Sequence, residues 1–246
     1  MVSFVSAVRN TVLNLTFPRR CHSCTARADD DRLGVACSAC WDNTTLFEES
    51  DELCPKCGAA NSSTNTSFTC RGCTEHHYDS AIAVGVYEHA MSASILNLKK
   101  VPVIPRILFE RIPCILDRAQ LGNCDLIVPV PLSPKRRAER GFNQAECIAD
   151  KVATLVNKPV DNQSLSRKIH SPMHRASMDR KARELSVKNA FEVTRPKLIE
   201  GRSILLVDDI FTSGATVSNC ARALKKKGAT SVRVLTLART IMRRGA

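Results

Sequence analysis

The sequence predicts an α/β protein, a central parallel sheet flanked by helices and preceded by a small cysteine-rich domain. Three observations carry this. Short apolar runs, each followed by a turn and then a helical stretch, recur through the second two thirds of the chain. Eight of the 12 cysteines fall before residue 74 as four Cys-x-x-Cys pairs. The charge also changes sign: residues 1–80 hold 7 Lys/Arg against 10 Asp/Glu, and residues 81–246 hold 29 against 14, net −3 and +15 of the total +12.

The first 20 residues contain Phe4, Val5, Val8, Val12, Leu13, Leu15 and Phe17, interrupted by Arg9 and Asn10. This is too short an apolar stretch for a membrane span or secretory signal. A short N-terminal helix that docks on its own protein is expected, in a cytoplasmic chain. Cysteine pairs then follow at Cys21/Cys24, Cys37/Cys40, Cys54/Cys57 and Cys70/Cys73. The later two repeat the earlier two after 33 residues. A fixed period is an architectural signal. Four thiolates per unit suit tetrahedral Zn²⁺. Without an export signal, metal is favoured over disulfides. Two structural zinc ions are expected, one in each of two sequential ribbons, although spacing alone leaves open a crossed pairing of first with third and second with fourth. An iron–sulfur cluster and a redox dithiol are the rival uses. His22, His76 and His77 lie nearby but are read as bystanders, since each four-cysteine set is complete. Residues 61–69, rich in Ser, Thr and Asn, read as a loop.

The expected domains are thus a helix over 1–20, a double ribbon over 21–78 and an α/β domain over 79–246. Ser80–Tyr87 is the first strand expected there. Met91–Lys100 reads as a helix broken by Pro102 and Pro105, and Ile107–Ala119 as a second carrying Pro113. Asp125–Pro131 is the next strand. Past it bunch Lys135, Arg136, Arg137 and Arg140, near the carboxyl end where open parallel sheets bind ligands. Asn143–Val156 is an amphipathic helix with Ala145, Ile148, Ala149, Val152 and Leu155 at helical spacing. Residues 164–188 hold seven Lys/Arg against two Asp/Glu, include His170 and His174, and read as a long basic loop. Cys114, Cys124, Cys147 and Cys220 lack ligand spacing and read as ordinary thiols.

Residues 203–216 carry the chemistry. Ile204–Val207 is a buried strand, Asp208 and Asp209 sit where it should end, and Thr212-Ser213-Gly214-Ala215-Thr216 forms a small-residue turn. A helix from Val217 to Lys227 and a strand from Ser231 to Leu237 complete a βαβ unit. Amides at the helix start face an anion, and two carboxylates can accept hydrogen bonds from a diol, so this is a seat for a phosphorylated sugar. The acids also suit a P-loop NTPase, but the chain has no Gly-Lys dipeptide, which excludes that reading.

Residues 204–216 resemble the 5-phosphoribosyl-1-diphosphate (PRPP) motif of type I phosphoribosyltransferases. Together with the paired ribbons, the stretch Ile127–Glu146 and the ending Leu235–Thr240, the chain resembles the ComF family of competence-associated proteins. The fold class is then a type I phosphoribosyltransferase-like central parallel sheet flanked by helices, preceded by a zinc-ribbon domain. The resemblance implies that Asp208 and Asp209 hold the ribose hydroxyls and that Thr212, Ser213, Gly214, Ala215 and Thr216 wrap the 5′-phosphate. Val130, Pro131, Lys135, Arg136 and Arg140 would meet the pyrophosphate. Mg²⁺ would arrive with PRPP, and the 164–188 stretch would close over the site. After Leu98-Lys99 the chain departs from the family pattern, with Lys100-Val101-Pro102 in place of an aromatic and glycines.

Family resemblance also implies a part in natural transformation, the uptake and handling of single-stranded DNA, alongside a DNA-uptake helicase or other competence proteins. A net +15 domain suits electrostatic contact with a phosphate backbone. At 4% aromatic residues, no base-stacking platform is evident. The second hypothesis is an active phosphoribosyltransferase acting on an unidentified acceptor. No acceptor pocket or general base is identifiable in the sequence.

Overall fold

The computed structural model describes residues 19–28, 30–60, 70, 73, 75–168 and 190–240. The 1–20 helix, except its last two residues, lies outside them, as do the 61–69 loop and most of the 164–188 stretch, including His170 and His174. The strands are β1 (Ser80–Val86), β2 (Leu126–Pro129), β3 (Leu165–Arg167), β4 (Phe191–Val193), β5 (Ser203–Phe211) and β6 (Ser231–Arg239).

Four strands form one wholly parallel sheet in the order β1-β6-β5-β2. Ile204, Leu205, Leu206 and Val207 of β5 are fully buried, as an unbroken apolar run between two covered faces requires. On one face pack helices His89–Leu98, Arg106–Arg118 and Gln144–Val156, through Ile95, Leu108, Ile112, Ile148 and Val152. On the other lies helix Ala215–Lys226, through Val217, Cys220, Ala221 and Leu224. The helices after β2 and β5 therefore leave toward opposite faces. Between two neighbouring strands of that kind a crevice opens at the carboxyl ends.

The ribbons straddle this sheet. Cys21, Cys37, Cys40 and Trp41 join the core on the first face. Cys54, Cys57, Cys73 and Tyr78 join the core on the second. The segment between the ribbons runs along β1: Val86 N–H donates to Thr45 O at 2.8 Å and Phe47 N–H to Val84 O at 2.9 Å. This pairing covers an otherwise open sheet edge. It needs Gly85, because a Cβ there would stand 2.5 Å from Thr45 O.

Two differences from the sequence reading have physical causes. β5 continues to Phe211, so Asp208 and Asp209 lie inside the strand, because β6 keeps pairing with it up to Phe211 opposite Arg239. The basic 164–188 stretch opens as a strand, β3, pairing antiparallel with β4 and burying Leu165 and Ser164. Its three residues are too few to show a period against the polar run that follows. The basic cluster after β2 is itself a helix, Pro134–Arg140, with Ser133 as N-cap and Gly141 closing it at φ 77°.

Candidate functional site

β2 ends at Pro129, opposite Val207, whereas β5 runs on. Asp208 and Asp209 are the β5 residues just past that point, at the lip of the crevice. Asp209 is buried, and two side chains meet it, one of them backed by a third. Lys99 Nζ lies 3.5 Å from Asp209 Oδ2. Gln144 Nε2 donates to the same oxygen at 3.2 Å, and Arg140 donates to Gln144 Oε1 at 2.9 Å. Asp208 accepts the Asp209 N–H at 2.9 Å. Burial first, and then the neighbouring Asp209 charge, push the Asp208 carboxyl well above the ordinary range, with Lys99 opposing.

Opposite the acids, Gly214 is the N-cap of helix Ala215–Lys226, at φ 77°, and makes no side-chain cap. Ser213 Oγ takes the Ala215 N–H at 3.4 Å, a long contact that an incoming anion can replace, with the helix dipole behind it. Thr212, Ser213, Ala215 and Thr216 are exposed and Gly214 is buried. The backbone here can reach a phosphate, and the hydroxyls are at its surface.

The wall after β2 is tied in by Asn143, which donates to Val130 O at 3.0 Å and accepts the Ala145 N–H at 3.1 Å. Val130 and Pro131 therefore stand beside the acids. Arg140 reaches Asp209 through Gln144. Lys135 and Arg136 sit on the exposed face of helix Pro134–Arg140, Lys135 near Glu139 at 3.9 Å. Lys99, Asn143 and Gln144 were not singled out as site residues by the sequence. Lys99 sits 110 positions from Asp209, and nothing in a helix ending Leu-Lys-Lys signals which carboxylate it will meet.

The cysteines form two sets, Cys21/Cys24/Cys37/Cys40 and Cys54/Cys57/Cys70/Cys73, with all sulfurs of a set within 4.8 Å of one another. The ribbons are therefore sequential, not crossed, and neither set includes a histidine. The Sγ pairs Cys21–Cys40, Cys24–Cys37, Cys54–Cys73 and Cys57–Cys70 are 3.7, 3.6, 3.9 and 3.7 Å apart. Tetrahedral thiolates about 2.3 Å from one Zn²⁺ stand about 3.8 Å apart, whereas a disulfide needs about 2.05 Å, so the sets fit structural zinc. Burial raises the Cys21 and Cys54 thiols, but backbone amides outweigh it and bring them to about 6 and about 7.

A family model described as a double zinc ribbon domain matches residues 12–74, and one described as a phosphoribosyl transferase domain matches residues 142–245. The chain is 27% identical over 235 residues to the DNA utilization protein YhgH of Salmonella typhimurium, covering 92% of this chain and 100% of that one. It is 28% identical over 233 residues to Competence protein F of Haemophilus influenzae, covering 91% and 98%. To Competence protein ComFC of Bacillus subtilis it is 34% identical over 120 residues, covering 47% and 45%. Among solved structures, the glutamine PRPP amidotransferase from B. subtilis is similar, with TM-score 0.37 and 20% identity, over 60% of this chain and 26% of that one.

Proposed function

The chain belongs to the ComF family, a double zinc ribbon joined to a phosphoribosyltransferase domain, and from this premise we propose that it is a competence-associated protein that binds PRPP. In this reading it assists the uptake and handling of single-stranded DNA. One feature supports the ligand: Asp208 and Asp209 lie on the part of β5 that runs past the end of β2, and the small-residue turn into helix Ala215–Lys226 follows directly after that strand. Asp208 and Asp209 accept the ribose hydroxyls. The 212–216 turn takes the 5′-phosphate, and Lys99 and Arg140 lie on the side where negative charge accumulates. Mg²⁺ comes with the ligand and neutralises its pyrophosphate.

Titrating PRPP with Mg²⁺ into the wild type and into Asp208→Asn/Asp209→Asn tests the seat. The wild type should bind and the double variant should not. Failure of the wild type to bind would refute the reading. Scoring transformation in the same pair tests whether the seat serves uptake. The DNA contact is electrostatic in this reading, so affinity for single-stranded DNA should fall steeply and log-linearly with salt.

A second reading is transfer of the phosphoribosyl group from PRPP to an acceptor. Pyrophosphate release from PRPP in the presence of candidate acceptors measures it directly.

A further inference from the structure

The second ribbon does more than occupy a face of the sheet. Tyr78, at its exit, is 0% exposed, yet its hydroxyl finds no hydrogen-bond partner among the described residues. A buried hydroxyl left unpaired costs about 1–3 kcal/mol, and phenylalanine would fill the same space without that cost. The hydroxyl points at the phosphate turn. A Cβ on Gly214 would stand 3.2 Å from it, 3.1 Å from His76 Nε2 and 2.7 Å from Phe211 Cζ. Gly214 therefore rests directly on two residues carried by the ribbon.

Those two residues are held as a unit. His76 stacks on Tyr78 with ring centroids 5.1 Å apart and planes at 23°, and Phe211 meets Tyr78 edge-on at 6.0 Å. From the knuckle below, the Lys56 ammonium sits 5.4 Å from the Tyr78 ring centroid and donates to Tyr78 O. His77 N–H donates to Ser218 Oγ at 3.1 Å, in the first turns of the helix that Gly214 caps. Asp79 takes the Val232 N–H at 2.7 Å and the Lys225 ammonium at 2.5 Å. On the other side Arg239 donates to Cys57 O at 2.5 Å while its guanidinium lies 5.4 Å from the Phe211 ring centroid. The path from a zinc-ligand cysteine to the turn, through Arg239 and Phe211, is thus three contacts long. The first ribbon packs on the opposite face of the sheet.

We infer that the second ribbon is the floor of the phosphate seat, with His76 and Tyr78 as positioning residues for the 212–216 turn. The Tyr78 hydroxyl is the donor that locks the turn's backbone once a sugar phosphate is bound. The inference rests on the phosphate-seat reading above, and it assigns the two ribbons different roles: the first is scaffold, the second is part of a binding site. Since neither side chain touches the ligand, both act through the turn.

The test is calorimetric titration of ribose 5-phosphate, and separately of pyrophosphate, into the zinc-loaded full chain. Tyr78→Phe should weaken ribose 5-phosphate roughly 5- to 10-fold, about the effect of one hydrogen bond. Pyrophosphate affinity and zinc content should stay at wild-type values, and Tm should rise, because the unpaired hydroxyl is gone. His76→Phe, which keeps the stack, should retain affinity that His76→Ala loses. A Tyr78→Phe chain that binds ribose 5-phosphate like wild type overturns the inference. So does one that loses both ligands together with Tm, which would mark Tyr78 as mere core. If the wild type itself fails to bind ribose 5-phosphate, the seat reading falls and takes the inference with it.

Discussion

Lys99 Nζ stands 3.5 Å from Asp209 Oδ2, with both side chains largely withdrawn from water. The pair sets the charge of the crevice. Two adjacent carboxylates would repel a pyrophosphate, and Lys99 is the cation that offsets them in this structure. Lys99→Met leaves Asp209 with Gln144 and removes that balance. PRPP affinity should fall about 10-fold, equivalent to about 1.4 kcal/mol, while Lys99→Arg should keep most of it. Calorimetry at two salt concentrations checks this. Unchanged affinity in Lys99→Met would show that the pair is a surface contact without bearing on the ligand.

Gly85 lets the inter-ribbon segment close the β1 edge. Adding a Cβ there puts it 2.5 Å from Thr45 O and 3.1 Å from Leu46 Cα, both backbone and unable to rotate away. Gly85→Ala should therefore destabilise the chain by roughly 2–3 kcal/mol, in the range of overpacked cores. Urea unfolding measures this. A midpoint equal to wild type would mean that the segment can lift off without cost.

Much of the frame was legible because each signal was local. The unbroken run Ile204–Val207 marked a doubly covered strand, and Cys-x-x-Cys repeated at a fixed interval marked two four-thiolate sets. The same run points to Asp208 and Asp209, which the structure places on β5 beyond the end of β2. What escaped was whatever depends on folding. Lys99 and Gln144 meet Asp209 only because, on the same face of the sheet, one helix ends and another begins beside it. β3 was hidden because its few residues lead into a basic run. His76 was read as a bystander to the cysteines, which holds for the metal sets, but its stacking on Tyr78 beneath Gly214 is set by docking of the ribbon.

The two zinc sets differ in access. In the first, Cys24 is exposed while Cys21, Cys37 and Cys40 are buried; in the second, Cys70 is half-buried and the rest are buried. Metal analysis should return about two zinc ions per chain. A chelator should release them in two phases, with the first set emptying faster. Cys24→Ser should abolish the fast phase and leave the slow one. A single phase, or one ion per chain, would contradict the separation of the sets.

Asp208 makes stability and ligand binding pull in opposite directions. Burial and the Asp209 charge raise its folded pKa, so the folded chain holds this proton more tightly than the unfolded chain. The resulting stabilisation is complete below the unfolded value, about 4, and is lost as pH rises through the folded value. Above the unfolded value, ionising this group costs the folded chain more than the unfolded one. Asp208→Asn removes that charge and keeps an oxygen for the Asp209 N–H. It should raise Tm by about 2–4 °C at pH 8, equivalent to roughly 1 kcal/mol, with a smaller gain at pH 5. The same substitution should weaken PRPP binding 10-fold or more, because the diol loses a charged acceptor. Thermal unfolding across pH 5 to 8, with calorimetry on the same samples, gives both signs at once. A gain that grows on acidification would mean the raised pKa is wrong. A gain without loss of binding would mean that Asp208 is not held there for the ligand.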